Sequence, residues 1–365
     1  MAIGERSDLW HGLEYERVPS LADIEVRGQE VQASLDLSSG PLFRSVLFET
    51  DDGAQRLMLT VHHIVSDRLS LLVLLDQLDA TLAELSAGRD APELLPTVGF
   101  GSWIESLASW TSGDEAERVA AGWRSLQWAD IRSIVESDLP NRNVDADGIR
   151  FRLGAEASAA LLRNDHARAE ELITIALGSA VAEFSDSSVA LIETLSHGRR
   201  LAGLETSRTV GMFLNYAPVV VGRLDEPERV ESAVAELRRQ QETAWSFDVL
   251  RYYTPDEQLR DFLRSAPRAE VLLNFVGRSL GSDDSGFFAF DLSGHGSDTA
   301  PDGYRDHALA VMAEIDSEDT VELLIVFSKA LHSSEQISRL GEQIVERLEN
   351  LVAGTLKRRI DVDNG

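Results

Sequence analysis

The spacing of apolar residues along the chain switches repeatedly between the period of a strand and that of a helix. A strand is predicted over Leu13–Val18, then a helix over 20–35 with Ser20 as its N-cap. Segments 42–49 and 56–62 read as a hairpin, turned by Asp51, Asp52 and Gly53. Apolar residues at helical spacing over 69–85 predict the next helix, with Ser66 or Asp67 as N-cap, and two more helices fit 101–110 and 114–126. The polar stretch 136–147, containing Pro140 and Asn141, reads as a linker, giving lobes of 1–140 and 141–365. Beyond it come strands at 149–153, 188–195, 217–221, 270–276, 308–315 and 320–328. Helices at 156–162, 167–184 and 226–242 and a closing helix at 333–352 lie among and after them. With no internal repeat, this alternation predicts a mixed, two-lobed α/β sandwich.

The segment with the most chemical content is VHHIVSDRLS at 61–70, where a histidine pair closes one apolar run and a helix follows. Neighbouring side chains on a strand point to opposite faces, so the pattern predicts that only one of His62 and His63 faces a given cavity. An ordinary core histidine beside an exposed one would read the same way. A metal site is disfavoured, because no further His or Asp follows at zinc-like spacing and the chain contains no Cys. General-base work suits a neutral imidazole at physiological pH.

HHIVSD resembles the HHxxxDG signature of the condensation-domain superfamily of nonribosomal peptide synthetases. The resemblance implies that His63 is the catalytic base, that His62 and Asp67 are structural, and that Arg68 stands where the family has glycine. LSSGPLFR at 37–44 is similar to the segment leading into that signature, and SRTVGMFLNYAP at 207–218 to a second family motif. Its RTVG half looks like epimerization domains and its FLN half like bond-forming ones. LRYY at 250–253 and LNFVGR at 273–278 again resemble the epimerization branch. The fold implied is the chloramphenicol-acetyltransferase-like sandwich of condensation domains, with a tunnel between lobes.

Two departures bear on function. Epimerization domains carry EGHGRE, whose first glutamate partners the histidine in moving the alpha proton. LSHGRR at 195–200 places Leu195 there, and a leucine cannot exchange a proton. Glu193 is the nearest carboxylate, two residues earlier and on the same face of a strand. The family's opening strand, long helix and early histidine-arginine motif also lack a counterpart, which implies an incomplete N-terminal lobe.

The charge of −28, from 62 acidic and 34 basic residues, argues against nucleic acid and anionic membrane as partners. No apolar run approaches the roughly 20 residues needed to span a bilayer, and the charged N-terminus lacks a secretory signal, so the cytoplasm is expected. No cofactor or metal is expected. His197 reads as a turn residue, while Asn215 and Tyr216 are candidates to line a cavity floor. Arg199 and Arg208 are candidate partners for a buried Asp67.

The expected function is that of a stand-alone condensation-superfamily enzyme of nonribosomal peptide or hybrid polyketide biosynthesis. Its substrate would be an acyl or peptidyl intermediate, tethered through phosphopantetheine to a carrier protein met in trans, and a dimer partner is one way to cover the shortened lobe. Bond formation, condensation or ring closure, is favoured over epimerization because the glutamate is absent. A catalytically silent docking protein derived from the fold is the rival from another class.

Overall fold

The computed structural model describes residues 12–126, 128–163, 166–200, 204–224, 226, 229–278, 288, 296–297 and 299–363. The chain clusters into two compact units. One comprises Met1–Phe100, Gly203–Phe213 and Ser282–Ala300, and the other Gly101–Ala202, Leu214–Gly281 and Pro301–Gly365.

The first unit is built on three strands, β1 (Leu13–Val18), β2 (Phe43–Thr50) and β3 (Gln55–Val61). β1 runs parallel to β2, which requires a crossover, and α1 (Leu21–Ala33) provides it. Ser20 stands at the N-cap position as expected, but its hydroxyl donates to Asp23 and makes no capping bond to the backbone. β2 and β3 form the expected hairpin, with Gly53 at φ +84 in the turn, a conformation that costs glycine little. Val18, Ile24, Val31, Val46 and Phe48 make the small core. The long helix α2 (Arg68–Ser86) follows β3.

The second unit holds a six-stranded sheet in the order β4-β9-β8-β7-β5-β6. Its strands are β4 (Ala146–Arg152), β5 (Val189–His197), β6 (Leu214–Gly222), β7 (Val271–Arg278), β8 (Leu309–Ile315) and β9 (Val321–Ser328). β5, β7 and β8 are parallel; β6, β9 and β4 add antiparallel pairs. Ile192, Val271, Leu309 and Phe327 stand in register across four strands and are fully buried on one face, where α6 (His166–Phe184) and α10 (Ser334–Asp363) belong to the same core. Two glycines permit close packing: a Cβ at Gly178 would run into Val221, and one at Gly341 into the Phe151 ring.

Around this sheet lie α3 (Phe100–Trp110), α4 (Asp114–Ser125), α5 (Ala155–Leu162), α7 (Val230–Ala244), α8 (Ser246–Tyr253) and α9 (Glu257–Ser265). Neither α8 nor α9 is predicted from the sequence. The polar stretch 136–147 is not a free connection. Asn143 and Val144 donate to the carbonyls of Gly303 and Pro301, and Asn141 donates through its amide to the carbonyls of Arg305 and His307. No described helix is long and apolar enough to cross a membrane.

Candidate active site

The histidine pair lies just past the end of β3 rather than on it. The strand stops at Val61, and His63–Val65 form a single 3-10 turn, so the opposite-face rule for strands does not separate the two rings. Their hydrogen bonds do. His62 caps the turn: its Nδ1 accepts the Ile64 N–H at 3.1 Å, so the ring proton sits on Nε2. His63 Nδ1 lies 2.8 Å from the Ser66 carbonyl oxygen, which can only accept, so this ring carries its proton on Nδ1. In the neutral ring of His63, an exposed residue, the lone pair is then on Nε2, the form a general base requires.

Asp67, rather than Ser66, is the N-cap of α2. Its Oδ1 accepts from the Ser70 N–H and hydroxyl, each at 2.8 Å, and its Oδ2 from the Phe213 N–H at 3.3 Å. A second stretch of chain is fastened to the same place. The Asp67 N–H donates to the Gly211 carbonyl at 3.2 Å, and the Gly211 N–H donates to the Ser70 oxygen at 3.0 Å. Asp67 and Ser70 are buried, so these donors and acceptors find in one another what water would otherwise supply. Gly211 sits so close to the edge-to-face pair of Phe100 and Phe213 that a Cβ there would enter the Phe100 ring. Thus the RTVG segment clasps the loop that carries the histidines, within the first unit. Arg208, suggested as a partner for Asp67, is exposed; Arg68, at the first position of α2, is exposed as well.

The remaining candidates lie in the second unit. On β5, Glu193, Leu195 and His197 share the face opposite the fully buried Ile192. Leu195 stands in register with Tyr216, which is 38 % exposed, and His197 is exposed at the strand's end beside Leu214. Asn215 and Tyr216 do not line one floor: adjacent on β6, they point to opposite faces, and Asn215 donates its amide to the Trp245 carbonyl at 2.6 Å.

Glu193 has a partner that local sequence gives no hint of. His307, in the loop before β8, places Nε2 2.5 Å from Glu193 Oε2 and packs its ring edge-on to Tyr216 at 5.5 Å. Burial, Glu193, Asp306 and Asp248 together push the Tyr216 hydroxyl above its ordinary range. Burial and then Glu193 raise Asp248, against the lowering effect of Arg251 and Arg268. Among the described residues, no group of three or more His, Asp or Glu side chains could hold a metal ion.

A family model described as the condensation domain matches residues 13–363. The chain is 25% identical over 339 residues to a linear gramicidin synthase and 25% identical over 345 residues to tyrocidine synthase 2, both from Brevibacillus parabrevis. These matches cover 89% and 91% of this chain but only 6% and 10% of those synthases. Among solved structures, the epimerization domain from the third module of tyrocidine synthetase B matches with a TM-score of 0.80 at 24% identity, over 93% of this chain and 79% of that one. The X-domain from teicoplanin biosynthesis matches with a TM-score of 0.66 at 20% identity, over 94% and 79%. At such identities the likeness speaks for the fold, and it is the sandwich architecture expected from the motifs.

Proposed function

The chain belongs to the condensation-domain family, and from that premise we propose that it joins an acyl or peptidyl donor to a nucleophile with His63 as general base. The family makes it a condensation- or epimerization-type domain of nonribosomal peptide synthesis. The observation that carries the finer reading is the bond between His63 Nδ1 and the Ser66 carbonyl, which in the neutral ring puts the proton-accepting lone pair on Nε2. As the amine or hydroxyl attacks the thioester carbonyl, its proton passes to Nε2 while the new bond to carbon forms. Collapse then breaks the carbon–sulfur bond, and the leaving thiolate takes that proton. The donor in this scheme is tethered to a carrier protein supplied in trans. In this scheme Asp67 holds the loop: it accepts from the Ser70 N–H and hydroxyl and from the Phe213 N–H, and its own N–H donates to the Gly211 carbonyl.

Alpha-proton exchange is the second reading. Glu193, on the face of β5 that carries Leu195, is the observation in its favour. The test is intact-mass and product analysis with loaded carrier proteins, comparing the unaltered chain with His63→Ala. Mass transfer between carriers or release of a coupled product supports bond formation. An unchanged mass with inverted configuration supports the second reading, and no change of either kind removes both.

A further inference from the structure

The peptide that joins Ser66 to Asp67 carries two bonds of the histidine turn. Its oxygen, the Ser66 carbonyl, is the one 2.8 Å from His63 Nδ1, and its N–H, that of Asp67, donates to the Gly211 carbonyl at 3.2 Å. This peptide is planar and trans, with C=O and N–H directed to opposite sides, so what holds one end fixes the direction of the other. The Gly211 end is itself held. Its N–H donates to the Ser70 oxygen at 3.0 Å. The Ser70 hydroxyl lies 2.8 Å from Asp67 Oδ1 and 2.9 Å from the Gly211 carbonyl, and can give its one proton to either. Two residues before Gly211, the Thr209 hydroxyl donates to the Val98 carbonyl at 2.7 Å and anchors the same stretch. Ser70 and Gly211 are both buried, and all these residues belong to the first unit.

We propose that Ser70 is a positioning residue for His63: by holding Gly211 it keeps the Ser66–Asp67 peptide turned with its oxygen toward the ring, and so selects the tautomer with the lone pair on Nε2. A carbonyl oxygen can only accept, so in the neutral ring Nδ1 must carry the proton. Turned by half a rotation, the same plane would present the Asp67 N–H instead. Nδ1 would then have to accept, and the ring proton would move to Nε2. His62 already shows that form, because its Nδ1 meets the Ile64 N–H. Ser70 thus acts on the ring through Gly211 and one peptide plane. The close approach needs glycine at 211, where a Cβ would enter the Phe100 ring. The effect on rate rests on the reading of His63 as the base; the tautomer is a property of the chain without substrate.

Nitrogen NMR of the histidine side chains at about pH 8, where an ordinary imidazole is neutral, reads the tautomer of each ring, with His62→Gln and His63→Gln to assign the signals. The unaltered chain should show His63 protonated on Nδ1 and His62 on Nε2. A His63 protonated on Nε2 overturns the proposal before any Ser70 variant is made. In Ser70→Ala the two nitrogen signals of His63 should draw together as both tautomers become populated. His62, whose bond to the Ile64 N–H lies inside the turn, should keep its pattern. Ser70→Cys, with a sulfur that is a weaker hydrogen-bond partner, should fall between the two. In either variant that folds, an unmoved His63 or an equal change in both rings overturns the proposal. Coupling rates on the whole chain give the second readout. Ser70→Ala should lower kcat about tenfold with KM within about twofold, since a mispositioned base costs the chemical step rather than binding. A loss carried by KM alone overturns the proposal. If the His63 signals shift as stated while folded His63→Ala still couples at the normal rate, the positioning stands and the reading of His63 as the base fails.

Discussion

His62 and His63, adjacent in the chain, are held in opposite tautomers: Nδ1 of the first accepts the Ile64 N–H, and Nδ1 of the second donates to the Ser66 carbonyl. In the neutral rings only His63 thereby has its lone pair on the outer nitrogen, Nε2. The difference between the two rings therefore lies in backbone hydrogen bonds of one short turn.

From this difference, His63→Ala should lower turnover by about 100-fold or more with the fold intact, since general-base catalysis contributes on that order. His62→Ala removes a partner of the Ile64 N–H and should act through stability, by about 1 kcal/mol. Steady-state rates beside thermal unfolding of both variants distinguish the two. Near-normal turnover in folded His63→Ala would leave the site working by binding and orientation.

Asp67→Ala should destabilise by about 3 kcal/mol, because it strands the buried N–H groups of Ser70 and Phe213 and deletes the cap of α2. Asp67→Asn keeps an acceptor for Ser70 but can turn an amide donor toward the Phe213 N–H, so an intermediate loss is expected. Urea unfolding gives both values. Unchanged stability with lost turnover would make Asp67 a chemical group.

Gly211→Ala tests the clasp from the other side. Its new methyl would enter the Phe100 ring and press on Phe213, and overpacking of this kind costs about 1–3 kcal/mol. Unfolding midpoints compared with Gly222→Ala, where a Cβ meets nothing within 4 Å, isolate the clash from the general cost of replacing glycine.

The uneven legibility of these features follows from how far apart in sequence their parts lie. An N-cap at Ser66 or Asp67 and the 51–54 turn are local, so residue type and spacing reveal them, though the choice of Asp67 needs the structure. The role of Ser70 is half-local: it sits three residues past the cap, but its bond to Gly211 spans 141 positions. His307 is wholly non-local, a polar residue in a polar loop whose partner is on another strand, and no periodicity marks it. The histidine pair escapes the opposite-face rule for a different reason, since strand geometry ends one residue before His62.

A pH effect on stability should come from Glu170 on α6, whose carboxyl burial pushes up from 4.5 to about 6, with neighbouring Glu171 adding to the shift. Between these values the folded chain keeps a proton that the unfolded chain has released. Glu170's contribution therefore falls as pH rises through that window, reaching a penalty of about 2 kcal/mol above it. Glu170→Gln should remove the slope and stabilise the protein at pH 7 by about 1–2 kcal/mol. Urea unfolding at pH 4.5, 6 and 7.5, read as the difference between variant and unaltered chain, checks the sign.

Exchange of the alpha hydrogen decides between the two proposed readings. An epimerase working with two bases needs a group opposite the first to return the proton, and Leu195, half-buried in register with Tyr216, has none to give. Glu193 lies about 7 Å further along the same strand face by strand geometry. A carrier-tethered aminoacyl or peptidyl substrate should therefore take up no solvent deuterium at its alpha carbon during turnover. Leu195→Glu should introduce weak exchange at some cost in stability, because the new carboxylate replaces a partly buried apolar side chain. Deuterium uptake by the unaltered chain at a catalytic rate would reverse the ranking. Loss of that uptake in Glu193→Gln would then identify the second base.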